Sequence, residues 1–117
     1  MKTPREVAEQ VWPQHAELCG ESDWHLLEQA INAGTEPAQL ILEPHGEAKD
    51  AIMVSLMIVY WTMKIVNAAL EIRKSLDTVP ARDKSAAVLA AVTAKLSSAT
   101  PDIVRKRLDE ILNTMNS

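Results

Sequence analysis

From Glu47 to Val79 the chain runs 33 residues without glycine or proline, and its apolar residues crowd together instead of alternating with polar ones. That pattern predicts a long helix over about residues 47–76, which at 1.5 Å per residue spans roughly 45 Å. A second uninterrupted stretch follows Pro80, with Ala81, Ser85, Val88, Val92 and Leu96 on one side and many alanines that favour helix and allow close approach. A third begins at Thr100-Pro101, read as a helix cap, and places Val104, Leu108, Ile111 and Met115 in one helical stripe. These two should form an antiparallel hairpin packed on the long helix.

The first 46 residues are cut up differently, because all three glycines and four of the six prolines lie there. Thr3-Pro4-Arg5-Glu6 reads as a capping box that starts a helix with Val7, Ala8 and Val11 on its apolar side. Pro13 disfavours helical geometry at Trp12, so this helix breaks before a segment at 14–19 that Gly20 ends. Ser22 or Asp23 should cap the next helix, which carries Leu26, Leu27, Ala30 and Ile31 at helical spacing and stops at Gly34. A short helical turn over Pro37 to Leu42 and a break at Pro44-His45-Gly46 complete this half. The expected fold is all-α: one domain, an irregular bundle of five to six helices around one long central helix.

Composition changes this picture little. Three glycines, no phenylalanine and four aromatic residues speak against a β-sandwich. Charge adds an asymmetry: residues 1–50 carry three basic and ten acidic side chains (−7), residues 51–117 nine basic and six acidic (+3), which sums to the net −4. A net negative chain has no general attraction for nucleic acid or anionic lipid. Cys19 is the only cysteine, so no intrachain disulfide forms. The N-terminal residues carry charges of both signs and no apolar core of a secretory signal, and the expectation is a cytoplasmic protein.

Ala51 to Met63 holds thirteen residues without a charge and is apolar all round the helix. A membrane span needs about 20 such residues, so a covered helix is the better reading, and no membrane partner is expected. What covers it is the functional question. Met53, Leu56, Met57 and Tyr60, with Lys64 below them, form a strip that continues the solvent side of the helix's polar second half. The N-terminal helices could fold over that strip as ordinary core. Alternatively it is an interface for a second copy or another protein, since methionine and aromatic residues suit adaptable surfaces and two-fold dimers are the commonest oligomers.

Catalytic and cofactor signals are sparse. The glycines cannot make a phosphate-binding loop, and the histidines at 15, 25 and 45 fit neither a zinc-protease pair nor a di-iron pattern. His15 and Cys19, four apart, with His25 after the turn and Glu21 nearby, are a weak candidate zinc group; no metal or cofactor is expected. Cys19 and His15 lack the third group that a nucleophile–base pair needs. Arg105-Lys106-Arg107 could touch phosphates, but acidic neighbours and the turning helix favour a solvated face. Asp109 and Glu110 are adjacent and do not face each other as a catalytic pair would, and Lys64 has a stem long enough to reach water. The leading expectation is therefore a non-enzymatic interaction or accessory module, homodimeric through the long helix. The alternative is a small-molecule or metal-binding domain, possibly enzymatic, with a pocket of Trp61, Met57 and Met63 and polar groups from His15, His25 or Tyr60. A helical nucleic-acid-binding regulator is third.

Overall fold

A computed structural model describes residues 1–34 and 47–117. The expected turn at 37–42 and the break at 44–46 lie outside them. Seven helices occur among the described residues: α1 (Pro4–Val11), α2 (Pro13–Ala16), α3 (Glu21–Ala33), α4 (Glu47–Lys74), α5 (Ala81–Lys95), α6 (Asp102–Arg105) and α7 (Leu108–Asn116). The arrangement is all-α, with α4 as the central helix that every other element packs around or beside.

Local chemistry sets most of these boundaries. At α1 the Glu6 amide donates to Thr3 Oγ1 at 3.2 Å and the Thr3 amide donates to Glu6 Oε1 at 3.0 Å, the reciprocal capping box. The Thr3 amide first, and then the Thr3 side chain, hold the Glu6 carboxyl below its ordinary range. Trp12, forced out of helical geometry by Pro13 (φ −126°, ψ 60°), separates α1 from α2. α3 starts earlier than the sequence suggests: Gly20 is its N-cap, and Asp23 acts from inside the first turn, accepting the Gly20 amide at 3.0 Å. Gly34 closes α3 in the left-handed conformation (φ 72°), which costs glycine nothing.

The C-terminal stretch is one helix in the sequence pattern and two in the structure. The break falls at Lys106 and Arg107, where Arg107 takes φ −109°, ψ 18°. This turn aims the Arg107 guanidinium over the Trp12 ring, 4.5 Å from its centroid, and lets it bind both oxygens of Glu110 at 2.7 and 2.8 Å. The expected stripe survives the break, since Val104, Leu108, Ile111 and Met115 are all buried. α5 lies chiefly against α4 and α7 chiefly against α1, with a smaller contact between α5 and α7.

α4 carries the centre of the core in Val59, Tyr60, Met63, Val66 and Ala69. By length and composition Ile52–Lys74, with mean hydropathy 1.6, could cross a membrane; 56% of its apolar window is buried within the fold, as in a central core helix.

Candidate functional site

Different elements cover different sides of α4. Its first buried side is polar in two places, Ser55 and Thr62, seven residues apart and so two turns along one face. The Trp12 indole N–H donates to Thr62 Oγ1 at 2.7 Å, and Thr62 in turn donates to the Ile58 carbonyl at 2.9 Å. His15 Nδ1 lies 2.8 Å from Ser55 Oγ. These bonds pin the α1–α2 corner onto α4 and satisfy groups that would otherwise be buried without partners. In the sequence Ser55 and Thr62 read as interruptions of an apolar run; their i, i+7 spacing was the available signal that both belong to one contact. α3 is held to α1 by Arg5, which grips both oxygens of Glu21 (2.8 and 3.2 Å) and lies 4.7 Å over Trp24. The guanidinium lowers the Glu21 carboxyl's pKa, and Glu21 raises that of Arg5.

α5 covers another face, but only in part. It has 15 residues against 28 in α4, and the turn at 75–80 places its start beside the end of α4, so it runs back along only part of that helix. Leu96, just past the end of α5, lines a groove together with Trp61. One and two turns beyond Trp61, on the same face, stand Met57 and Val54, with 39% and 54% of their surfaces exposed. Ile52, nearer the helix start, is 37% exposed. The bare apolar part of α4 is thus the part that α5 is too short to reach.

This differs from the strip expected from the sequence. Of its members, Met57 is exposed, Met53, Leu56 and Lys64 are half-buried, and Tyr60 is 1% exposed. Tyr60 is a core residue and not a docking surface: its ring meets Trp61 edge-on at 5.6 Å and Lys64 Nζ lies 5.9 Å from it. The exposed apolar face is rotated toward Val54, because the covering of a central helix depends on where its neighbours end.

The groove at the end of α5 is the second feature of this face. Trp61, Ile65, Ala68 and Ile72 of α4 and Val92 and Leu96 form its apolar walls around about 170 Å³ of open space. Lys64, Lys95, Ser97 and Thr100 supply its polar groups, and no carboxylate is among the described residues that line it. Lys64 Nζ sits 4.8 Å over the Trp61 ring. Thr100 was expected to cap the following helix and does not: Pro101 takes the cap position without any side-chain bond, and the buried Thr100 Oγ1 has no partner. Leaving a hydroxyl buried and unpaired costs on the order of 1–3 kcal/mol. Arg105 holds the segment in place by donating to the Ser97, Ser98 and Thr100 carbonyls at 3.1–3.4 Å.

The other candidate residues are not gathered. Among the described residues no three His, Cys, Asp or Glu side chains come close enough to hold a metal. His15 is engaged with Ser55, Cys19 donates to the His15 carbonyl at 3.8 Å, and His25 is exposed on α3, because the turn through Gly20 aims α3 away. Burial first, and then the charge of Asp23, push the Cys19 thiol up to about 11. The expected pocket is likewise dispersed: Trp61 lines the α4–α5 groove, Met63 a cleft beside Arg5 and Glu28, and His15 a hollow beside Trp12 and Arg107. In the basic run, Arg105 and Arg107 are committed to the contacts already described, and Lys106 stands exposed. Comparison with models of protein families, with characterised proteins and with solved structures finds no match to this chain.

Proposed function

We propose that the protein is a non-enzymatic interaction module that pairs with a second copy of itself through the bare face of α4, in the cytoplasm. The observation behind this reading is the length mismatch between α4 and α5, which leaves Val54 and Met57 exposed on one face with half-buried Met53 and Leu56 nearby. An exposed apolar face on a rigid helix favours association because burying it removes about 25 cal/mol of unfavourable hydration per Å². A second copy supplies the same face by symmetry, so one patch serves both partners.

The test is absolute solution mass by light scattering over a concentration series, for wild type and for the double variant Val54→Asp/Met57→Asp. The expected result is a wild-type dimer and a folded monomeric variant with an unchanged far-UV circular dichroism spectrum. A wild-type monomer at every concentration, or a variant that dimerises as wild type does, overturns the reading.

A further inference from the structure

We infer that the groove between α4 and the end of α5 binds a small monocarboxylate with an apolar body, its head group held by Lys64 and Lys95. This does not rest on self-association.

Two independent features of the groove point to that chemistry. Its walls are apolar, with the Trp61 indole and Ile65 facing Val92 and Leu96 around about 170 Å³ of open space, enough for a short hydrocarbon chain. Its rim is cationic, since Lys64 and Lys95 both line it and no described carboxylate there neutralises them. An apolar wall alone would suit a neutral hydrocarbon, and lysines alone would be ordinary surface. Together they match a ligand that is apolar at one end and anionic at the other. A carboxylate suits the donors available, because two ammonium groups are few for the oxygens and double charge of a phosphate. Lys64 is also partly positioned already, its ammonium resting over Trp61, so less side-chain freedom is lost when an anion arrives.

The probe is octanoate, titrated by calorimetry, with octan-1-ol carrying the same apolar body without charge and acetate and inorganic phosphate carrying charge without the body. Octanoate should bind saturably and at least about tenfold more tightly than any of the three. Its site is read by the indole N–H resonances in a ¹H–¹⁵N correlation spectrum: the Trp61 signal should move, while those of Trp12, bonded to Thr62, and Trp24, under Arg5, stay in place. Lys64→Gln/Lys95→Gln should weaken octanoate about tenfold and leave octan-1-ol unchanged. Ala68→Phe, which fills the groove from an exposed position, should abolish binding of both. The absence of saturable octanoate binding to wild type, equal affinity for octan-1-ol, or a Trp61 resonance that does not respond each overturns the proposal. Light-scattering mass on the same samples separates this outcome from any failure to dimerise.

Discussion

α4 is one continuous helix in two environments. On one face of its C-terminal half α5 lies on Ile65 and Ile72, with other helices on the remaining sides; nearer the N-terminus the same face carries Val54 and Met57, which no described element covers fully. The residue types hardly differ between the halves of that face: Val54, Met57, Trp61, Ile65, Ala68 and Ile72 follow one another at helical spacing. What differs is the length of the covering helix. Apolar composition therefore states that a surface wants cover, while the length of the neighbour decides whether the same chain provides it.

The sharpest way to break this comparison is to make the same truncation in each half. Ile65 is 4% exposed in the α4–α5 seam, so Ile65→Ala should cost about 2–5 kcal/mol, through lost burial and the cavity left behind. Val54 is 54% exposed, so Val54→Ala should change monomer stability by no more than about 0.5 kcal/mol. Urea unfolding, with the midpoint followed by circular dichroism at low protein concentration, reads both. Equal losses at the two positions would mean that the N-terminal half is covered as fully as the other.

Much of this architecture could be read from the residues. The Thr3 capping box, the break at Trp12, the stop at Gly34 and the buried stripe from Val104 to Met115 each depend on chemistry within a few residues or on one helical period, and each is found. Three features were not legible. At the break the Arg107 guanidinium stacks on Trp12, about 95 residues earlier in the chain, and no local pattern announces a contact at that range. The burial of Tyr60 depends on its surroundings in the folded chain, and periodicity alone put it on the same strip as Met57, which is exposed. The α4–α5 groove exists because one helix ends opposite Trp61, a property of pairing between elements. Of the residues that the sequence pattern singles out, Met57 is exposed and Lys64 and Trp61 line the α4–α5 groove. Nothing in the pattern singles out Val54 or Lys95, because their surroundings depend on where α5 ends.

Two Thr-Pro pairs sharpen the comparison at a finer scale, since one opens α1 in the N-terminal layer and the other closes the groove below α5. Thr3 is followed three residues later by Glu6, which returns a bond; Thr100 is followed by Ile103, which has no polar group to return. Thr3→Ala should accordingly lose about 1 kcal/mol, the usual value of a cap. Thr100→Val keeps the shape and removes the unpaired hydroxyl, and should gain about 1 kcal/mol, since the penalty for burying that group disappears. Opposite signs in chemical denaturation are the expected result. A loss at both positions would show that Thr100 makes a bond in solution.

Cys19 measures how closely the short helices cover the N-terminal layer. Its thiol is half-buried and pushed up to about 11 from an ordinary 9.0, chiefly by removal from water, with Asp23 adding to the shift and Arg5 opposing it. A rise of this size leaves about a hundredfold less thiolate near pH 8, so iodoacetamide should alkylate the folded protein about a hundredfold more slowly than the chain in urea. The same shift fixes a direction for stability. Between pH about 9 and 11 the folded thiol keeps its proton while the unfolded one releases it, so this contribution is complete below 9 and is lost as pH rises through that window. Because the group is only half-buried, the effect on stability is small and the alkylation rate is the better readout. Alkylation as fast in the folded protein as in urea would mean that the turn between α2 and α3 opens freely, and that the N-terminal layer covers α4 less firmly than α5 does.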